Sequence, residues 1–201
     1  MRALPALESE SYDGWVLRAA GGYTGRANSA APLDPGALDP AEKISYTEAW
    51  YRARGLPPMI RLTPAAQPAG LDLVLEEHNY SLRDEGVSVQ AVELDGSYAP
   101  VGAVEVADGP VPRSWPAMLA GLQTRVGQHL DTARDLFSRL PPTSAFAAVG
   151  RDGIAVAVGR AVLENDDVGL FDIITRPDLR RRGLASDITL ALLDWGSQHG
   201  A

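Results

Sequence analysis

The chain has 201 residues, a formal net charge of −8 and no cysteine, with 45% hydrophobic and 22% charged residues. This composition is sufficient for a hydrophobic core and excludes disulfides and cysteine catalysis, and it argues against general nucleic-acid affinity because it provides no broad basic surface. No apolar run has the length of a membrane helix and the first residues contain no apolar signal segment, so we expect a soluble cytoplasmic protein.

The first half of the chain has the pattern of a small α/β domain. Its clearest element is a helix from Pro40 to Arg54, because Asp39 can cap it, Pro40 suits its first position and Gly55 can end it. In chain order the predicted elements are strands over 14–18 and 23–31 around the Gly21-Gly22 turn, that helix, a strand over 59–62, a helix over 69–78 and a strand over 87–94.

A stretch rich in proline and glycine, residues 96–112, follows these elements. We interpret it as a linker between a domain at 1–95 and a domain at 113–201. The alternative is a long surface loop, and residues 101–106 could still pair as a strand.

The second half alternates helical and strand patterns. Helical sequence over 114–140, with a break near Gly127, precedes two strands at 145–150 and 154–163. These strands flank Arg151-Asp152-Gly153, which is a strong hairpin signal. A strand over 168–175 and an amphipathic helix complete the order, so the predicted fold class is α/β or α+β.

Three adjacent arginines, at positions 180 to 182, separate that last strand from the last helix. Cations at a helix start are unfavourable next to the positive end of the helix dipole unless an anion binds there. Gly183 and the small residues Ala185 and Ser186 would let a ligand approach the backbone closely. This pattern predicts a cradle for a phosphate or pyrophosphate group.

The same residues resemble a known family. The run Arg180-Arg181-Arg182-Gly183-Leu184-Ala185 matches the R/Q-x-x-G-x-G/A motif of the GNAT superfamily, the acetyl-CoA-dependent N-acetyltransferases. The preceding Ile174-Thr175-Arg176-Pro177 resembles the Val-x-Pro pattern at the end of that family's motif strand, with threonine where valine is usual. The resemblance covers residues 114–201, and it implies a mixed sheet flanked by helices.

This resemblance implies acetyl-CoA as co-substrate and an amine of a small molecule, amino acid or peptide as acceptor. Backbone groups of Ile173, Ile174 and Thr175 would bind the pantetheine arm. The pyrophosphate would be held by the loop and the first helical turn, which comprise Arg180, Arg181, Arg182, Gly183, Leu184, Ala185 and Ser186.

Asp172 is the only acidic residue inside the motif strand, and it is the candidate general base for removing a proton from the amine. The alternative is a structural role, because a carboxylate in an apolar run needs a hydrogen-bond partner. The three histidines show no ligand spacing, so no metal site is predicted.

Members of the family continue past this helix with a strand, a helix and a strand, which often include a tyrosine that protonates the departing thiolate. We therefore expect the second domain to be incomplete at its C-terminus and a poor catalyst. Residues 58–94 show the order strand, helix, strand that the second domain lacks. Within them, Asn79-Tyr80 resembles the Gly-Phe/Tyr pair that closes the corresponding helix in the family. The first domain is accordingly interpreted as a degenerate GNAT-like half of a tandem protein, the alternative being an unrelated α/β domain.

The function predicted is N-acetyl transfer, and the alternative is a non-catalytic acyl-CoA-binding module or truncated remnant. A phosphate-binding domain for another nucleotide is a weaker possibility, since the chain lacks a lysine-containing P-loop. The partner expected is a small-molecule amine or amino acid, without nucleic acid or membrane, and homo-oligomers could form through exposed sheet edges.

Overall fold

The computed structural model describes residues 3–83, 86–96 and 98–201. The chain divides into two compact units. The first is Ala6–Ala91, and the second is Val92–Ala201 together with the residues that precede Ala6. None of the helices in the described residues combines the length and apolar character needed to cross a bilayer.

The described residues of the first unit form a small antiparallel sheet, in the order β1-β2-β3, and two α-helices. Its core is formed by large buried side chains, among them Trp15, Leu17, Ile44 and Tyr51. The elements are β1 (Glu8–Tyr12), β2 (Trp15–Ala19), a 3₁₀ turn (Gly25–Ala27), β3 (Ala31–Pro32), α1 (Pro40–Arg52) and α2 (Leu71–Glu77).

Helix α1 begins as the sequence predicts. The side chain of Asp39 accepts a hydrogen bond of 2.8 Å from the amide of Ala41, and Pro40 occupies the first turn. Gly55, with φ +64°, follows the end of the helix in the left-handed conformation that glycine adopts easily. Helix α2 is also confirmed, within the predicted 69–78.

The strand predicted over 23–31 is wrong. The hairpin turns at Asp13-Gly14 and pairs β2 with β1, which the sequence did not reveal. Residues after the Gly21-Gly22 turn instead fold around Asn28, whose Oδ1 accepts the amide of Ala20 at 2.7 Å and that of Gly22 at 3.0 Å. A buried amide side chain thus satisfies backbone groups that a strand would have paired.

The strands predicted over 59–62 and 87–94 are also absent. Ile60 makes only an isolated parallel bridge to Ala30. Val87 and Val89 are 88% and 92% exposed, because their alternating pattern has no neighbouring strand to pair with among the described residues. The strand–helix–strand order expected of a degenerate GNAT-like half is therefore not formed by the described residues.

In the part of the second unit that the structure describes, an antiparallel sheet in the order β4-β5-β6-β7 packs with four α-helices. The predicted hairpin is confirmed. The helical stretch breaks at Gln123 and again at His129, and the second break lies two residues after Gly127, near which an interruption was expected. The elements are β4 (Glu105–Asp108), α3 (Trp115–Leu122), α4 (Thr124–Gln128), α5 (Leu130–Ser138), β5 (Ser144–Arg151), β6 (Ile154–Glu164), β7 (Asp167–Thr175), a 3₁₀ turn (Pro177–Leu179) and α6 (Leu184–Gln198).

Part of the predicted linker is a strand. Strand β4 lies within residues 96–112 and pairs antiparallel with β5, where Glu105 is opposite Ala148 and Asp108 is opposite Ala145. Backbone pairing to the sheet therefore outweighs the flexibility that the nearby prolines and glycines suggested.

Helix α6 packs against the sheet through the apolar stripe predicted for it, with Ile188, Leu192 and Trp195 buried. The approach is close, since a Cβ added at Gly196 would lie 2.7 Å from Cγ1 of Val168 on β7. This packing places the beginning of α6 beside the end of β7.

Candidate functional site

The connection from β7 to α6 is a short, anchored loop. The amide of Arg176 bonds to the carbonyl of Val156 at 2.9 Å and continues the β6–β7 pairing one residue beyond Thr175. Pro177–Leu179 then form a 3₁₀ turn, and the side chain of Leu179 is buried in the core. Residues 180–183, here called the arginine loop, lead from this anchor into α6.

Backbone amides at the start of α6 are left available by the helix itself. The amide of Asp187 bonds to the carbonyl of Gly183 at 2.9 Å, so the amides of Leu184, Ala185 and Ser186 have no acceptor within the helix. No side chain caps the helix, because its N-cap residue is Gly183. These amides and the helix dipole favour an anion at this end.

The arginine loop has an unusual backbone conformation. Arg181 has φ +61° and Gly183 has φ +84°, so two left-handed residues are separated by one that is not left-handed. Loops with alternating left- and right-handed residues gather successive amides around a concavity that suits anions. A Cβ added at Gly183 would meet no atom within 4 Å, which shows that the space beside the loop is open.

All three arginines of the loop are exposed. In the part of the chain that the structure describes, no carboxylate lies within ion-pairing distance of their guanidinium groups, and Nε of Arg180 makes a long contact of 3.4 Å to the carbonyl of Thr175. The neighbouring Asp178 is paired with Arg176, whose guanidinium holds the pKa of that carboxyl below its usual value. The positive charge of the loop is therefore available to an anionic ligand.

One carboxylate, that of Asp187, lies in the first turn of α6. Its Oδ1 accepts a hydrogen bond of 3.0 Å from the amide of Val101, and its Oδ2 would lie 2.8 Å from a Cβ added at Gly102. The carboxylate is thus engaged by the chain segment at 101–102.

Strand β7 lies at the edge of its sheet. Within the described residues no strand pairs with its outer side, so the outward backbone groups of residues 173–175 are open to an extended ligand. The side chain of Ile173 packs into the core under α6, and Oγ1 of Thr175 is buried without a hydrogen-bond partner among those residues. Position 175 therefore has the surroundings of an apolar residue, which is consistent with the valine usual in the motif.

A bulge interrupts β7 just before these residues. Arg160 of β6 is opposite Phe171 and Val158 is opposite Ile174, so Gly159 alone faces both Asp172 and Ile173. Asp172 has φ +53°, a left-handed conformation uncommon for residues other than glycine.

Asp172, the predicted general base, is held in an ion pair. Its Oδ2 lies 2.6 Å from Nε of Arg160, a side chain that is only 1% exposed. Arg160 is thus the partner that a structural role of Asp172 requires. The role of Asp172 as general base stays a prediction. Arg160 was not expected at this site from the sequence, although a lone arginine within the apolar run of β6 indicates a buried partner.

A shallow cavity of about 270 Å³ lies at the other end of the same strands. Its lining includes Val162, Glu164, Asp167 and Phe171 from the β6–β7 hairpin, but no residue of the arginine loop. The candidate site is therefore the open surface where the edge of β7 meets the start of α6.

Comparisons with known proteins identify the family and the fold of the chain. The model of the family described as "Probable histone acetyltransferase Rv0428c C-terminal" matches residues 1–201. The chain is 38% identical over 80 residues to the probable histone acetyltransferase Rv0428c of Mycobacterium tuberculosis, a match that spans 40% of this chain and 26% of that protein. It is 25% identical over 203 residues to the uncharacterized N-acetyltransferase YobR of Bacillus subtilis, across 98% of this chain and 80% of the relative.

The fold also matches a solved structure, that of a GCN5-related N-acetyltransferase from Kribbella flavida. The TM-score is 0.62 at 19% identity, and the alignment covers 97% of this chain and 76% of the other.

Proposed function

Because the chain belongs to the family of Rv0428c C-terminal domains and has the fold of GCN5-related N-acetyltransferases, we propose that it transfers an acetyl group from acetyl-CoA to an amine. The resemblance to the GNAT superfamily found in the sequence is confirmed at the level of family and fold. The activity, the coenzyme and the acceptor are the proposal.

The observation that carries the proposal is the convergence of three features at one end of β7. They are the open backbone edge at residues 173–175, the unused amides at the start of α6, and the exposed cations of the arginine loop. A helix start alone is weak evidence, but an extended backbone edge leading into a cationic loop suits a ligand with an amide-containing arm and a pyrophosphate.

We assign the residues as follows. Backbone groups of Ile173, Ile174 and Thr175 bind the pantetheine arm as an added strand would bind the edge of a sheet. Arg180 and Arg182 provide charge to the phosphates. The pyrophosphate is held by amides of Arg181, Gly183, Leu184, Ala185 and Ser186.

Acetyl-CoA supplies the acetyl group as a thioester, which is activated toward attack by an amine. The acceptor nitrogen must be unprotonated to attack, and it loses a proton as the amide bond forms and the thiolate leaves. We propose as acceptor the primary amine of a small molecule, amino acid or peptide. The name of the mycobacterial relative implies that histones are the substrate of that protein, and we do not extend this substrate to the present chain.

The test is calorimetric titration of acetyl-CoA into wild type, Gly183→Asp and Gly183→Asn. Aspartate and asparagine have the same size and both tolerate the left-handed conformation of position 183, so only their charge differs. We expect the aspartate variant to bind roughly tenfold to a hundredfold more weakly than the asparagine variant, which corresponds to about 1.4–2.7 kcal/mol.

Equal affinity in the two variants would contradict the assignment of the loop, and no binding to wild type would contradict the proposed function. Thiol release with a panel of amines then measures turnover. Binding without turnover for any amine would favour the alternative of a non-catalytic acyl-CoA-binding module.

A further inference from the structure

The bulge in β7 determines which side chains enter the core. Before it, Val168 and Leu170 pack toward α6, and after it Ile173 does so. Strand side chains alternate with a period of two, so without the extra residue position 172 would follow 168 and 170 onto the helix-covered face. The bulge keeps the carboxylate of Asp172 out of this apolar layer and places Ile173 there instead.

The carboxylate is received on the other face by Arg160. The guanidinium bonds Oδ2 of Asp172 through Nε at 2.6 Å and the carbonyl of Ala3 through Nη1 at 2.7 Å. It also lies over the ring of Phe171, 4.7 Å from the ring centroid. Because the arginine is buried and fixed by these contacts, it holds the carboxylate at one point.

Asp172 suits the bulge for a second reason. The left-handed conformation at position 172 is strained for most residues, and aspartate and asparagine adopt it more readily than alanine or β-branched residues. A single residue thus satisfies the backbone conformation and pairs with the buried cation.

We propose that Arg160 and Asp172 form a positioning pair that fixes the bulge and so presents the backbone of residues 173–175 to the coenzyme arm. This inference rests on the proposed function. In this proposal Asp172 positions the backbone of the residues that follow it and does not abstract a proton. Residues 173–175 follow Asp172 directly, so a slip at the bulge would move or invert each of their backbone groups.

The experiment compares Asp172→Gly, Asp172→Ala and Asp172→Asn with wild type, by calorimetric titration of coenzyme A and by steady-state kinetics. Glycine and alanine both remove the carboxylate, but only glycine adopts the left-handed conformation without strain. Asparagine keeps the conformation and cannot accept the proton of an amine. Asp166→Ala, at an exposed position in the preceding turn, is the matched control.

We expect the alanine variant, which loses both the pair and the favoured conformation, to bind coenzyme A about tenfold more weakly than wild type. The glycine variant and Arg160→Gln each lose only the pair and are expected to bind about threefold more weakly, whereas the asparagine variant can still accept a hydrogen bond from Arg160 and is expected to bind within about twofold of wild type. Wild-type affinity in both the glycine variant and Arg160→Gln would overturn the proposal, because neither contains the pair. Loss of kcat in the asparagine and glycine variants at unchanged coenzyme affinity would also overturn it, because that pattern identifies Asp172 as a base.

Failure of the proposed function is recognised separately. If wild type binds no coenzyme A, the presentation of residues 173–175 to it is refuted, and the melting temperatures still test whether Asp172 holds the bulge. The alanine variant is then expected to melt about 2–4 °C below the glycine variant, the shift that about 1 kcal/mol produces in a chain of this size. Equal melting temperatures of the alanine and glycine variants would also refute the role of Asp172 in holding the bulge.

Discussion

Gly159 of β6 lies directly against Ile188 of α6, so that a Cβ added to the glycine would be 2.4 Å from Cγ2 of the isoleucine. The same Cβ would be 3.1 Å from Cγ1 of Ile173 and 3.3 Å from Cδ1 of Leu192. The helix therefore packs directly on the sheet opposite the bulge, where a Cβ on the sheet would collide with it.

Replacement of this glycine is expected to push α6 away from the sheet. Gly159→Ala should lower the free energy of unfolding by about 1–3 kcal/mol, since an overpacked core side chain forces its neighbours to move. Denaturant unfolding measures the change. Gly150→Ala is the control, because its Cβ would meet no atom closer than 4.0 Å, and a loss as large in this variant would contradict the explanation.

The stability of the first unit should depend on pH because of the carboxyl group of Asp13. The ammonium group of Lys43, together with the amides of Ala37 and Leu38, lowers the pKa of the Asp13 carboxyl to about 2. A lowered folded-state pKa means that the charged carboxylate stabilises the fold above its unfolded pKa of about 3.9 and that this stabilisation is lost as the pH falls toward 2.

The comparison with Asp13→Asn isolates this contribution, since asparagine tolerates the φ of +40° at this position. We expect wild type to melt higher than the variant at pH 7, and we expect the difference to shrink between about pH 4 and pH 2. Melting curves across this range provide the measurement. A difference that stays constant down to pH 2 would show that the carboxylate's charge is not the cause.

The arginine loop should bind its ligand with a strong dependence on salt. Arg182→Gln removes one exposed cation, so we expect coenzyme A to bind about threefold to tenfold more weakly at low ionic strength, and the loss to diminish near 0.5 M salt as screening increases. Titrations at the two ionic strengths measure both effects. Arg151→Gln, at the exposed end of β5 beside the hairpin turn, should change neither, and an equal loss there would indicate a non-specific charge effect.

The sequence predicted β7, the arginine loop and α6 well because each carries a strong local signal. The apolar run ends at a proline, and the helix that follows has an apolar stripe whose members, such as Ile188 and Trp195, are buried as expected. The candidate coenzyme site uses mainly backbone groups of this continuous segment. It could therefore be proposed from the sequence without knowledge of distant contacts.

Other features depend on partners that local patterns do not show. Strand β1 consists of Glu-Ser-Glu-Ser-Tyr and has no apolar alternation, but Glu10 accepts a hydrogen bond from Nε1 of Trp50 at 2.7 Å, which gives its polar side chain a place in the fold. The segment at 87–94 alternates imperfectly, as a strand would, but forms no strand. The bulge at Asp172 was hidden because it depends on Arg160, twelve residues earlier on another strand.

The bond between Arg160 and the carbonyl of Ala3 joins residues 157 positions apart, while the whole of Ala6–Ala91 lies between them as a separate unit. During synthesis on the ribosome, that unit can fold as soon as it emerges, because all of its strands and helices are complete by Ala91. Ala3 must wait until β6 has been translated. The residues just before Ala6 are thus made earlier than Ala6–Ala91 but reach their native contacts later, and the loop that this bond closes has a high contact order, which slows folding of the second unit.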